Sequence, residues 1–272
     1  LPLGYNERSS LYEHVSGVKG SPRFSTYSQG IGDIRLTAYK WIIAPKAGNK
    51  GNLLGGIGLK LPTGNYKATD VFHNTLTTTR VGPVDQSIQL GDGGWGVSLE
   101  LNGFRSINNT WSLYSNVYYL INPRGNNGVS TARGGVPTAA AIKYTSDVMS
   151  VPDQYLLRAG TNWTKNAFTI SLGARYEAIP AKDLIGDNTG FRRPGNVLAI
   201  EPGANYNYKK FNFYLYAPVA IRRERPQSYP DILKTNDTGV FSRGDAAFAD
   251  YSISIGMGLV NSWNNHNAYR RI

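Results

Sequence analysis

Along residues 95–104, WGVSLELNGF, side chains alternate in character. Trp95, Val97, Leu99 and Leu101 fall on one side of an extended chain, and Gly96, Ser98, Glu100 and Asn102 on the other. Alternation with a period of two marks a strand whose faces meet different surroundings. The rhythm recurs over 34–43, 53–61, 94–104, 111–121, 155–164, 168–179, 197–208, 211–222 and 249–259. Successive runs are paired through brief turns such as RSINNT, KNA and KK. Between the pairs lie far longer connections, among them TGNYKATDVFHNTLTTTRVGPVDQS and NPRGNNGVSTARGGVPTAAAIKYTSDVMSVPDQ. Structureless connections beyond ~12–15 residues are uncommon in compact domains. Strict alternation of short and long is what an outer-membrane barrel displays, with tight periplasmic turns and long external loops.

One parity of the runs is apolar: Leu36, Ile57, Leu59, Val97, Leu99, Leu101, Leu113, Val117, Leu157, Ile170, Leu172, Phe213, Leu215, Ile255 and Met257 belong to it, and Lys40 is its charged exception. The opposite parity carries Arg35, Lys60, Glu100, Asn102, Asn116, Arg158, Asn162, Arg175, Glu177, Glu201, Asn205 and Arg222. A soluble sandwich accepts that pattern as a wet outside; a barrel accepts it as a lumen. Aromatic placement favours the barrel. Trp111, Trp163, Phe168, Tyr208, Phe211 and Trp263 share the apolar parity and gather at the short-turn ends, where an interfacial girdle belongs. The expectation is an all-β chain forming one transmembrane up-and-down antiparallel barrel over 1–272, of about ten strands, with eight to twelve as the range. Direction along the alternation then requires an ascending strand before Ile34, expected within residues 1–25 around SSLYEHVSG or lying upstream.

Composition narrows this further. No apolar run approaches the ~18–20 residues of a spanning helix. Cysteine is absent, which excludes disulfide and zinc–thiolate frameworks. The formal charge of +11 implies attraction to anions. The chain begins at Leu1 with no initiator Met, which reads as a processed or truncated exported chain.

Candidate chemistry is sparse. His14, His73 and His266 fall in loops or tails without metal-ligand spacing or a neighbouring nucleophile, so no enzyme, metal or cofactor is expected. GGIGLKLPTG lacks the Gly-Lys-Ser/Thr of a phosphate loop and is contained in a strand. GDGGWG offers Asp92 to a cation but lacks the ligand count of a calcium loop. GFRRPG and AIRRERP concentrate Arg192, Arg193, Arg223 and Arg225. They read as solvated loop tips or as an electropositive external mouth for lipopolysaccharide phosphates and anionic solutes. Nucleic acid fits poorly, because the aromatics are not interleaved with the basic residues. Inside the lumen, Arg35, Lys60, Arg158, Arg175 and Arg222 face Glu100, Glu177 and Glu201. Such charges neutralise one another across a plugged interior or line a hydrated pore of mild anion preference.

Five short blocks carry a resemblance: GIGDIRL (30–36), LKLPTG (59–64), LGDGGWGVSLEL (90–101), GFRRPGNVLAIEPG (190–203) and FADYSI (248–253). Together they resemble the recurring blocks of the outer-membrane transporter family named for the MetA pathway of phenol degradation. The resemblance implies a Gram-negative outer-membrane barrel passing small, aromatic or apolar solutes. The functional expectation is therefore a porin-like passive channel with Arg158, Arg175 and Arg222 as a selectivity ladder for an anionic or aromatic solute. The alternative is a non-conducting barrel whose external loops bind a protein partner or lipopolysaccharide.

Overall fold

The computed structural model describes residues 2–11, 23–46, 48–75, 77–244 and 248–259. In chain order the strands are β1 (Leu3–Leu11), β2 (Arg23–Ile31), β3 (Ile34–Ile43), β4 (Gly51–Leu61), β5 (Thr69–His73), β6 (Thr79–Pro83), β7 (Gly96–Ser106) and β8 (Trp111–Ile121). They continue as β9 (Asn126–Ser130), β10 (Val148–Ser150), β11 (Gln154–Lys165), β12 (Phe168–Ile179), β13 (Gly195–Tyr208), β14 (Phe211–Tyr216), β15 (Val219–Glu224) and β16 (Ser254–Leu259). Two helices, α1 (Ala139–Lys143) and α2 (Tyr229–Thr238), lie in the long connections. No helix among the described residues is long and apolar enough to cross a membrane.

One curled antiparallel sheet dominates, in the order β16-β14-β13-β12-β11-β8-β7-β4-β3. Sequential strands are neighbours throughout, the meander that short turns produce. Two of those turns are entered through a left-handed residue, Asn166 (φ 55°) and Lys209 (φ 53°), which reverses the chain within two residues. β14 and β15 occupy one lane, because both pair with β13. The single run expected over 211–222 is split there. Pro202 on β13 and Pro218 beside it lack amide protons, so the ladder cannot run through that point. A bulge follows at Ile221, between the pairs Ala199–Ala220 and Leu198–Arg222.

The faces of this sheet are inverted relative to a water-soluble fold. On the apolar side Ile57 is 65% exposed, Leu172 57%, Leu99 46% and Leu215 43%. On the polar side Lys60 and Glu201 are each 1% exposed, and Ser98, Ser112, Thr169 and Ser171 are buried. Among the described residues of the sheet, only Leu120 and Ala199 are buried apolar side chains. The compact apolar cluster, Ala68, Val84 and Ile88, lies in the 62–95 connection instead.

The edges of the sheet are β3 and β16. All neighbours being antiparallel, these two edges run in the same direction. The ascending strand expected from residues 1–25 is not beside β3: β1 pairs with β2, from Leu3–Ile31 outward. The reason is local, since the hairpin has its own partners in the first long connection. Asn6 Nδ2 donates to the Ile88 carbonyl at 3.3 Å, the Tyr27 amide to Asp70 at 2.7 Å, and Ser28 also bonds Ile88. Part of SSLYEHVSG lies outside the described residues.

The long connections are structured rather than loose. β5 pairs with β6, and β9 with β10. α2 starts at a capping box between Ser228 and Asp231 and stops at Gly239 in the left-handed region, φ 68°. Lys143 and Tyr144 both donate to Asp237 on α2, at 2.6 and 2.7 Å, so two connections are tied together.

Candidate functional site

The polar face carries a charged network centred on Glu201. Arg158 and Arg175 stand directly opposite each other on β11 and β12, a like-charge pair that repels unless shared with a carboxylate. Glu201 provides it from β13. Arg158 donates to Glu201 through Nε at 2.8 Å and through Nη2, while Arg175 Nη1 reaches Glu201 at 3.4 Å. Arg175 also chelates Glu177 through Nε and Nη2, at 2.9 and 2.7 Å. The Arg158 guanidinium lies over the rings of Tyr216 (5.2 Å) and Tyr114 (6.0 Å). A buried carboxylate is tolerated only with such full pairing.

Around this centre the polar face is filled by tyrosines and amides. Glu100 accepts from Tyr39 at 2.6 Å and Thr37 at 3.3 Å. Arg35 lies over Tyr118 at 5.5 Å. Asn116 bonds Asn102 at 2.7 Å, and Ser171 bonds Asn162 at 2.8 Å. Four tyrosines fold over a glycine on the next strand: Tyr39 on Gly56, Tyr114 on Gly160, Tyr216 on Gly203 and Tyr214 on Gly256. A Cβ on Gly56 or Gly160 would stand 2.7 Å from the tyrosine atoms. These tyrosines were missed in the sequence reading, though their parity with Glu100 and Arg158 was available to place them.

At the long-loop end, three of the glycine-rich blocks meet. Lys60, 1% exposed, bonds Asp92 and lies 3.9 Å from Asp33. Asp33 accepts from the Gly64 amide at 2.9 Å and the Asp92 amide at 3.3 Å. Burial raises the Asp33 carboxyl pKa and the Asp92 charge adds to this, against the pull of Gly64 and Lys60. Gly91 packs against Asp33 where no side chain fits. Asp92 is a lysine partner and accepts from the Gly94 amide at 2.9 Å.

The arginines expected at an open basic mouth are used differently. Arg192 is buried and forms a fork on Asp183 at 2.7 and 2.6 Å. Arg193 forms a second fork on Asp85 at 2.7 and 2.9 Å, and Arg8 of β1 joins it at 2.6 Å. Burial pushes the Asp85 carboxyl up, but Arg193 and the Ser87 amide and hydroxyl outweigh it and hold it far below the usual carboxylate range. Arg223 pairs with Asp250, and Arg225 lies 3.7 Å from Asp231. Arg192 and Arg193 are held rather than free, one by Asp183 of the same connection and the other by the distant Asp85, whereas Arg223 stays exposed beside an exposed Asp250.

Arg222 also departs from expectation. The Ile221 bulge shifts parity by one, so Arg222 registers with Leu198 on the apolar face rather than with Glu201. It is 69% exposed and bonds Glu224. The girdle residues Trp111, Trp163, Phe168, Tyr208 and Phe211 all stand at the short-turn end; Trp111 and Trp163 are direct cross-strand partners, and the Phe168 ring is tilted against Tyr206 with centroids 5.5 Å apart. A second aromatic row, Tyr119–Tyr155–Tyr176, crosses the other end with ring centroids 6.0 and 5.9 Å apart. Trp263, His14 and His266 lie outside the described residues. His73 stacks on Phe24 at 3.6 Å. Searched against family models and against curated protein sequences, the chain matches none.

Proposed function

We propose that this chain is a β-barrel of the Gram-negative outer membrane whose polar face encloses a narrow passage for small solutes. The inverted sheet carries the reading. Each Leu or Ile left in water forgoes ~1.5–3 kcal/mol of burial, and here they stand side by side across every lane of the sheet. Soluble monomers rarely expose apolar patches beyond a few hundred Å². Hydrocarbon removes that penalty, and aromatic rows at both ends of the face suit two headgroup levels. Closure needs one strand of opposite direction between β3 and β16, which would make ten lanes. The resemblance of the five glycine-rich blocks to the phenol-pathway outer-membrane family supports the same reading.

The passage it would enclose is lined by tyrosines, amides and mutually paired charges, which suits small polar or aromatic solutes with a mild charge preference. Purified protein added to planar bilayers is expected to give discrete, weakly selective conductance steps. A protein that stays soluble and monodisperse without detergent would overturn the membrane reading itself. A second reading, a non-conducting barrel, is favoured by one observation: Asp85 and Asp183 tie down the segments over the long-loop end. Bilayer insertion without conductance would select it.

A further inference from the structure

The formal +11 is not spread evenly. Lys46, Lys50, Arg105, Lys165, Lys209 and Lys210 lie in or beside the four short turns, and they account for more than half of it. All six are exposed, and none forms an ion pair among the described residues. No aspartate or glutamate occurs over 40–55, 101–116, 159–174 or 202–216. The turns form a continuous rim, since ladder bonds join neighbours: Ser106 N to Lys50 O at 2.5 Å, Thr164 N to Thr110 O at 2.8 Å, and Asn207 N to Ala167 O at 2.9 Å. Immediately inside the rim, on the apolar face, stand Trp111, Phe168 and Tyr208, 45–50% exposed. Lys209 lies over the Tyr208 ring at 5.2 Å.

The long-loop end differs in that it mixes exposed lysines with carboxylates, and its Lys60, Arg192 and Arg193 are held by three of these. Cations left unpaired beside interfacial rings match a layer of anions at headgroup height. We infer that the short-turn rim binds the phosphate headgroups of an anionic phospholipid leaflet, so that this end of the barrel selects phosphatidylglycerol-type lipid over zwitterionic lipid. The inference rests on the membrane reading above and adds to it a lipid class and an end of the molecule.

Tryptophan fluorescence tests both at once, since Trp111 and Trp163 stand at the rim. The full chain is folded into vesicles containing acyl-brominated phosphatidylcholine or acyl-brominated phosphatidylglycerol at equal mole fraction in unlabelled phosphatidylcholine. Quenching by both, with stronger quenching by phosphatidylglycerol that weakens in high salt, is expected. The triple variant K165Q/K209Q/K210Q should lose that preference by about fivefold per charge, roughly a hundredfold in relative association. The control triple K67Q/K182Q/K234Q, exposed at the long-loop end, should keep it. Equal quenching by the two lipids, or equal loss in both triples, would overturn the lipid inference and leave the barrel standing. Absence of quenching by either lipid would overturn the barrel reading and the inference with it.

Discussion

At the scale of single residues, the buried charged side chains of this protein act as clamps. Arg192 and Asp183 are both almost fully buried. Asp183→Asn therefore strands a guanidinium, which costs about 3–5 kcal/mol. The check is a fall in the denaturant midpoint of the detergent-folded protein, with Arg192→Met/Asp183→Leu less damaging than the single change. Asp85 gives a pH signature. Its folded pKa is depressed below the ordinary 3.8, so its contribution is complete above that value and fades as pH falls toward the folded one. Protease cleavage in the connections around Asp85 and Arg193 should be slow from about pH 5 to 7 and accelerate below about pH 4. Unchanged cleavage across that range would show that the clamp does not hold these segments. The arginines of GFRRPG were legible in the sequence as special but not in their role. Asp183 lies nine residues before Arg192 in the same connection, but Asp85 comes from a distant segment, and local pattern carries no information on that pair.

At the scale of strands, glycine and tyrosine act together. The Tyr114 ring lies over Gly160 and Gly173, and its hydroxyl is buried without a hydrogen-bond partner. Gly173→Val should destabilise the sheet by ~1–3 kcal/mol through overpacking. Tyr114→Phe should be neutral or slightly stabilising, because it deletes an unsatisfied group and keeps the ring. Equilibrium unfolding followed by tryptophan fluorescence checks both. Leu172 supplies the sharper test of the apolar face. Leu172→Lys should cost ~2–4 kcal/mol in a bilayer, whereas on a water-facing surface a change at a 57% exposed position would be within ~0.5 kcal/mol. Comparing folding in vesicles for the variant and the parent chain reads the difference. The strand parities themselves were legible in the sequence, except across the Pro202–Pro218 break and the Ile221 bulge. There one extra residue turned Arg222 to the other face.

At the scale of the whole molecule, charge is segregated along the strand axis. The polar face is close to neutral in its central network, where Glu201 serves both Arg158 and Arg175. Removing that carboxylate exposes two cations to whatever the face encloses. Glu201→Gln should shift reversal potentials in planar bilayers toward anion selectivity, and Arg158→Gln with it should restore the parent value. No shift in a conducting protein would place Glu201 away from the conduction path. The pairing also revises the expected three-arginine ladder: two of its members share one carboxylate, and the third, Arg222, stands on the apolar face.

The alternation of side chains determined a great deal unaided: the all-β class, which lanes neighbour which, the short-turn end with its rings, and which residues share a face. These are local properties, because a strand has a period of two and a brief turn forces its flanking strands together. Tertiary structure alone decided that the long connections fold into hairpins and helices, and that β1 pairs with β2 rather than β3. It alone brought Asp85 to Arg193 and left the cations of the short turns without partners. Each of these depends on groups distant in the chain meeting in space, and the energy of a buried charge is settled by the partner it meets there.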